Sequence, residues 1–334
     1  MNIAINGFGR IGRALFRAAF DNPAFTILAI NDLTDTKTLA YLLKYDSVYG
    51  RYPKEVSFDE HHIIVDGEKI QILAEKDPAT LPWKDLEIDV VVESTGFFTS
   101  GEKAKVHLDA GAKRVVITAP ATGDVDTLLV GVSDERFKNP KAITCNASCT
   151  TNSVAPVMQI LLDAFGIEKA GMVTVHGYTA TQKLVDGPDT KDLRRGRAAA
   201  VNIVPSTTGA ADAVIQVIPE LKGKFDAVAM RVPTVTGSLS IMSVLIKGIT
   251  TPEAVNELFV RAAKDPRWTK SLKATTDQLV STDIIGEPYG AIVDLSLTKV
   301  IDGNFVKVFS WYDNEAGYTA TLVEHVKRVG EKIS

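Results

Sequence analysis

The feature that most narrows the fold of this chain is Gly7-Phe8-Gly9-Arg10-Ile11-Gly12. It lies between a β-rich run at Asn2–Asn6 and a helical face over Arg10–Phe20 carried by Ile11, Ala14, Leu15, Ala18 and Ala19. Glycines in a strand-to-helix turn let the backbone bend tightly and approach an anion closely. The helix start behind them offers unpaired N–H groups and a partial positive charge. A motif of this kind also occurs as a plain glycine-rich turn in unrelated α/β proteins. Here the preceding strand and following helix supply the context of a pyrophosphate site. After a second β-rich run at Phe25–Ile30 comes Asn31-Asp32, where an acid bonds the hydroxyls of an adenosine ribose. A carboxylate there repels a 2′-phosphate, so Asp32 favours NAD over NADP; its competing reading is an ordinary surface turn residue.

The alternation continues. Apolar runs at Asp89–Val92 and Arg114–Thr118 flank a helical segment near Glu102–Ala110. Strand, helix and strand with short turns imply an α/β, doubly wound parallel sheet of the Rossmann type. From Gly171 onward the strand candidates lengthen: Met172–His176, Ala227–Val232, Leu239–Ile246, Ile292–Val300 and Phe305–Trp311. Fewer helices separate them, which suits an α+β unit with a mixed or antiparallel sheet. The expected division of the 334 residues is a nucleotide-binding domain at 1–148, completed by the last helix at 313–334, and a catalytic domain at 149–312.

The formal net charge of −4 argues against nucleic acid as the main partner, because phosphate backbones are held by clustered Lys and Arg. No apolar stretch approaches the roughly 18 residues of a membrane span. The first residues carry no basic start and meet Gly7 before a signal core could form, so the chain reads as cytosolic. Its only cysteines, Cys145 and Cys149, then read as thiols, serving chemistry or packing. Without clustered histidines they make no zinc site.

Cys149 follows an apolar strand at Ala142–Cys145 and opens a helical face of Val154, Val157, Met158, Leu161, Leu162 and Phe165. That puts it in a first helical turn with Ser148 as N-cap. A thiol there is drawn toward thiolate by the helix dipole, and the same N–H groups can hold an oxyanion. The competing reading of a lone cysteine, a small buried hydrophobe, suits Cys145 in its apolar strand better than Cys149 among polar neighbours. Pro156 falls inside this helix, should free the carbonyl of Asn152, and predicts a kink. A nucleophilic cysteine needs a base. Among His61, His62, His107, His176 and His325, position favours His176, where a strand runs into a loop; a packed core histidine remains the alternative.

The segment Ala147-Ser148-Cys149-Thr150-Thr151-Asn152 resembles the active-site signature of the phosphorylating glyceraldehyde-3-phosphate dehydrogenases. Ile5–Arg13, Glu93-Ser94-Thr95-Gly96, Ala229–Pro233 and Trp311-Tyr312-Asp313-Asn314-Glu315 are similar to that family too, in order along the whole chain. The resemblance implies that Cys149 attacks the aldehyde of D-glyceraldehyde 3-phosphate. His176 would take the hydroxyl proton, and inorganic phosphate would cleave the resulting thioester to give 1,3-bisphosphoglycerate and NADH, a step of glycolysis and gluconeogenesis. It also assigns the cofactor contacts: Gly7, Gly9, Gly12, Arg10 and Ile11 at the pyrophosphate, Asp32 at the ribose, Thr95, Gly96 and Thr118 beside it, and Asn314 at the nicotinamide carboxamide. Lys76 stands where the family often has Arg, on the adenine side.

Two anions need donors of the Arg, Thr, Ser and backbone N–H type. The resemblance sets Thr179, Thr181 and Arg231 at the substrate phosphate, and Ser148, Thr150, Thr208, Gly209 and Arg197 at inorganic phosphate. In the basic run Lys191-Asp192-Leu193-Arg194-Arg195-Gly196-Arg197, Arg194 and Arg195 read as solvated charge. Cys145 stands where a small polar residue is usual, and Ser153 where a second cysteine commonly follows. A homotetramer is implied, with the loop 183–197 reaching a neighbouring subunit. Two alternatives stay open: an erythrose-4-phosphate dehydrogenase, which uses water in place of phosphate, and a non-catalytic NAD- or RNA-binding protein on the same scaffold.

Overall fold

The structure, a computed structural model, describes residues 1–190 and 192–333; Lys191 of the basic run lies outside them. The chain divides into two compact units. One comprises Met1–Leu129, Ser133–Ala147 and Leu322–Ser334, the other Val130–Val132 and Ser148–Thr321.

The first unit carries a nine-stranded sheet. Its strands are β1 (Asn2–Asn6), β2 (Thr26–Asn31), β3 (Val56–Phe58), β4 (His62–Val65), β5 (Glu68–Leu73), β6 (Val90–Glu93), β7 (Arg114–Ile117), β8 (Asp126–Thr127) and β9 (Ile143–Cys145). They lie in the order β3-β4-β5-β2-β1-β6-β7-β9-β8. β1 is parallel to both β2 and β6, with Asn6 level with Asn31 on one side and Glu93 on the other. The chain leaves β1 for β2 on one flank and returns to β6 on the other, so a crevice opens beyond their carboxyl ends, where parallel sheets bind ligands. Ile3, Ile5, Ile30, Val91 and Val116 are wholly buried along these strands, as expected for a sheet covered on both faces. The helices are α1 (Arg10–Ala19), α2 (Thr36–Lys44) and α3 (Gly101–Asp109).

The second unit holds β10 (Ile167–Gly177), β11 (Val204–Thr207), β12 (Phe225–Val232), β13 (Ser238–Ile246), β14 (Leu272–Thr275), β15 (Ala291–Asp294), β16 (Lys299–Ile301) and β17 (Phe305–Tyr312). The path is β11-β12-β10-β13-β17-β15-β14, with β16 beside β17. β10 runs parallel to β12 and antiparallel to β13, so the sheet is mixed. Its helices are α4 (Cys149–Phe165), α5 (Ala210–Val217) and α6 (Pro252–Ala262); α7 (Ala316–Gly330) ends the chain's regular structure. α4 packs on the sheet and against α5.

One sequence expectation changes. Ile292–Val300 is not one strand: a 3-10 turn at Leu295–Leu297 splits it, nucleated by Asp294, whose carboxylate accepts the Ser296 N–H (3.1 Å) and hydroxyl (2.6 Å). α4 runs on as one helix through Pro156. Gly290 comes close to the Asn152 carbonyl there: a β-carbon at 290 would lie 3.1 Å from that oxygen.

Candidate active site

The glycine turn is built as its sequence requires. Gly7 has φ +92°, and a β-carbon on it would lie 2.7 Å from the Thr95 nitrogen. One on Gly12 would lie 2.3 Å from the Gly7 carbonyl oxygen, whereas one on Gly9 would meet no protein atom within 4 Å. Two glycines therefore serve close packing, and the third faces open space. α1 begins after Gly9 with no side-chain cap and no acid in its first turn, leaving its N–H groups for an anion. The adjoining cleft, of about 540 Å³, is lined by Gly7, Gly9, Asp32, Lys76 and Thr95 among others. Gly96, at φ +76°, also faces open space. Asp32 accepts the Phe8 N–H (2.8 Å) and the Thr34 N–H (3.0 Å), so it braces the glycine loop from below. The Arg10 guanidinium is held by Asp46 at 2.6 Å. Thr118 sits just past β7 with its N–H on the Glu93 carbonyl (3.0 Å).

These contacts separate two kinds of glycine. Gly9→Ala should melt like the parent protein yet bind NAD about tenfold more weakly, because the methyl projects only where the pyrophosphate would lie. Gly12→Ala gains about 1 kcal/mol of helix propensity. It overlaps a backbone oxygen that cannot step aside, at a cost of about 1–3 kcal/mol, so its melting temperature should fall. Thermal melts with and without NAD check both.

In the second unit, Cys149 is the first residue of α4. Ser148 is the N-cap, accepting the Thr151 N–H at 3.1 Å, and Ala147 before it takes φ +51° to turn the chain. The Cys149 Sγ lies 3.4 Å from His176 Nε2. His176 is the penultimate residue of β10, level with Arg231 on β12. The parallel register sets both side chains on one face, and period-two alternation adds Thr174. The Thr174 hydroxyl bonds Tyr312 Oη at 2.7 Å, and Thr150 Oγ1 bonds the same phenol at 3.0 Å. Tyr312 also meets the His176 ring edge to face, with centroids 5.8 Å apart. This buried tyrosine ties the nucleophile's helix to the base's strand, a role that nothing in its sequence neighbourhood announces.

His176 Nδ1 lies 2.6 Å from the Gly177 carbonyl, and Arg231 Nη1 lies 2.7 Å from Nδ1 and 3.1 Å from the same carbonyl. The carbonyl can only accept and the guanidinium only donate. Nδ1 therefore meets one acceptor and one donor, and Nε2 is the ring nitrogen that faces the sulfur. Burial, and then the Arg231 charge, push His176 down from 6.5 to about 3, against the pull of the Gly177 carbonyl. The imidazole is thus uncharged at neutral pH and able to take a proton. Burial pushes the Cys149 thiol up, opposed by Arg231 and by the Thr150 N–H and hydroxyl. The helix start alone does not make the thiolate. Passing the proton from sulfur to Nε2, however, leaves the net charge of the site unchanged and sets the sulfur anion against those same donors.

Around this pair the anion donors divide. Thr179 and Thr181 hydroxyls are 3.0 Å apart, and Arg195 Nη2 reaches Thr181 Oγ1 at 3.0 Å. Arg195 is also near enough to Arg231 for its charge to be felt there. Arg195, read from sequence as solvated, therefore belongs with this cluster. Arg197 instead pairs with Asp186 at 2.8 Å on an exposed stretch. Thr208 spends its hydroxyl on the Ala210 N–H (3.1 Å), with Gly209 as the N-cap of α5. Asn314 is fixed: its Oδ1 accepts the Ser238 hydroxyl (3.0 Å) and the Gly237 N–H (3.2 Å), and Ser238 in turn accepts the Gly177 N–H (3.2 Å). That orients its Nδ2 as the donor for a carbonyl.

The other histidines have other partners. His62 pairs with Asp59, His325 lies buried between Thr144 and the Leu128 carbonyl, and His107 pairs with Glu93. Cys145 is buried, with Thr127 Oγ1 3.3 Å from its sulfur. Among the described residues no group of three His, Cys, Asp or Glu is placed to hold a metal ion, and no helix is long and apolar enough to cross a membrane.

A Rossmann unit with an open phosphate turn, joined in one chain to a cysteine–histidine pair among anion donors, defines an NAD-dependent thiol dehydrogenase. Residues 1–101 match the family description "Glyceraldehyde 3-phosphate dehydrogenase, NAD binding domain", and residues 148–314 match "Glyceraldehyde 3-phosphate dehydrogenase, C-terminal domain". The chain is 52% identical over 324 residues to a protein of Thermotoga maritima named glyceraldehyde-3-phosphate dehydrogenase, covering 96% of this chain and 97% of that one. It is 49% identical over 325 residues to that of Clostridium pasteurianum (96% of each chain) and 47% over 334 residues to that of Geobacillus stearothermophilus (99% of each). The chain belongs to the glyceraldehyde-3-phosphate dehydrogenase family.

Proposed function

We propose that this protein oxidises D-glyceraldehyde 3-phosphate with NAD and inorganic phosphate, giving 1,3-bisphosphoglycerate. The observation that carries the reading is the 3.4 Å approach of Cys149 Sγ to His176 Nε2. The first unit would be the NAD-binding domain and the second the catalytic one.

The residues of the first unit fit the adenosine and pyrophosphate half of NAD: an uncapped helix start, the open face of Gly9 and a carboxylate at Asp32. Lys76, Thr95, Gly96 and Thr118 would border the adenosine and pyrophosphate, and the Asn314 Nδ2 would donate to the nicotinamide carboxamide. When bound, NAD supplies the two-electron acceptor of the oxidation. The Cys149 sulfur attacks the aldehyde carbon, forming a C–S bond, while its proton passes to Nε2 and from there to the former carbonyl oxygen, giving the hemithioacetal hydroxyl. The developing alkoxide lies where the α4 start and Nε2 can donate to it. His176 then takes the hydroxyl proton of the hemithioacetal as the carbon is oxidised, leaving a thioester on Cys149. A phosphate oxygen attacks that carbonyl, the C–S bond breaks, and the acyl phosphate departs. Arg231, Arg195, Thr179 and Thr181 would hold the substrate phosphate. Ser148, Thr150, Thr208 and Gly209 would serve the attacking one, with Arg197 reaching it only on leaving Asp186.

Initial rates with glyceraldehyde 3-phosphate should require both NAD and phosphate. Turnover that persists without phosphate would favour the erythrose-4-phosphate type of reaction, and none in folded protein would favour a binding role. NADP should be used less well than NAD. Asp32→Ala should weaken NAD about tenfold, through the lost ribose contact and the slackened Phe8 loop, and narrow that gap.

The second unit carries exposed Leu184, Val185, Leu193, Val201 and Ile203, each more than two-thirds accessible. An apolar stretch of that kind supports a subunit interface through the 183–197 loop and a homotetramer, which sedimentation tests. Two unpaired thiols suit a cytosolic setting.

A further inference from the structure

Beneath the dinucleotide cleft lies a chain of buried polar groups that the proposed chemistry does not use. Glu93, at the end of β6, is 1% exposed and accepts four donors. Oε2 takes the His107 Nε2–H (3.0 Å) and the Asn6 amide (2.5 Å); Oε1 takes the Thr95 N–H (2.8 Å) and the Thr95 hydroxyl. Among the described residues no Lys or Arg pairs with it. A buried carboxylate held by hydrogen bonds alone depends on every one of them.

The His107 donor is itself specified. Trp83 Nε1–H donates to His107 Nδ1 at 3.1 Å, with both residues wholly buried. Indole N–H can only donate, so Nδ1 must present its lone pair and the ring proton must sit on Nε2, facing the carboxylate. The opposite tautomer would turn a lone pair on Glu93 and face two N–H groups to each other. Downstream, the two residues that Glu93 holds both line the cleft. Asn6 passes the order on through its Oδ1 to Asn31 (2.7 Å), next to Asp32. Thr95 accepts the Phe97 N–H (3.1 Å) and so closes the turn through Gly96.

We propose that His107, with its tautomer set by Trp83, is a positioning residue for the dinucleotide: through Glu93 it fixes Asn6 and the Thr95-Gly96 turn in the shape that NAD requires. The inference rests on the reading of this cleft as the NAD site. It concerns affinity for the cofactor's adenosine and pyrophosphate half, leaving the reactivity of Cys149 untouched.

The test is calorimetric binding of NAD and of ADP-ribose to the full-length protein, with Cys149 alkylation by iodoacetamide measured alongside. His107→Leu should weaken both ligands by about tenfold and leave the alkylation rate at the parent value. His107→Gln can accept from Trp83 with its carbonyl and donate to Glu93 with its amide, so it should restore binding to within about threefold. Trp83→Phe, which removes the N–H and frees the tautomer, should fall between them. Binding by His107→Leu at the parent affinity, or a glutamine variant as weak as the leucine one, overturns the proposal. If the leucine variant does not fold, parent-like binding by Trp83→Phe overturns it just as well. A parent protein that binds neither ligand would refute the NAD reading instead.

Discussion

Replacing Cys149 with serine is expected to lower aldehyde oxidation by roughly 10⁴-fold or more, the scale on which a covalent nucleophile is missed, while NAD binding stays at the parent level. The serine oxygen keeps the N1 position of α4 and the neighbouring N–H groups. What it loses is the sulfur's readiness to give up a proton to an imidazole and to leave again from the acyl intermediate. Because NAD is assigned to other residues, kinetic and binding losses should separate cleanly. Single-turnover measurement of NADH with enzyme in excess is the decisive form: it should show no burst. Rapid turnover by Cys149→Ser would exclude a thioester route.

The second large effect is expected at His176. His176→Asn should cut kcat by about 10²–10⁴-fold, the usual worth of a positioned acid–base. It should also change the sulfur. In the parent protein the proton on Cys149 can pass to Nε2, so reaction with iodoacetamide proceeds through the pair. In the variant no acceptor remains for the proton, and only Arg231 and the Thr150 and helix-start donors are left to oppose the burial that pushes the thiol up. The sign follows: the pH at which alkylation is half-maximal should be higher in His176→Asn than in the parent. An unchanged alkylation profile would mean that His176 does not serve as the proton acceptor.

Local pattern carried much of this arrangement. The strand–glycine–helix opening, the Ser148 cap and the position of Cys149 are short-range features, and each is found where the sequence predicts it. The long strands of the second unit were legible from their apolar alternation, although Asp294 interrupts one with a turn. His176 was legible only as a histidine at a strand end, because the groups that surround it, Arg231, 55 residues away, and Tyr312, lie far off in sequence. Arg195 and Arg197 look alike in sequence. Asp186, eleven residues back, engages Arg197, while Thr181 receives Arg195. The Trp83–His107–Glu93 chain left no trace at all, since its members join only when a turn, a helix and a strand end meet.

The pairing of His176 with Arg231 as neighbouring rungs of β10 and β12 has a consequence for how activity is lost. A strand cannot be displaced by part of a residue, and a slip of β10 by one residue would turn His176 to the face opposite Arg231. β10 is also clamped on its other edge by β13, so no slip can occur without undoing both ladders. Imidazole and guanidinium are therefore either in place or the sheet is open. Partly active, slightly loosened molecules should be scarce, and on a denaturant titration catalytic activity and the ordered sheet of the second unit should vanish in a single transition.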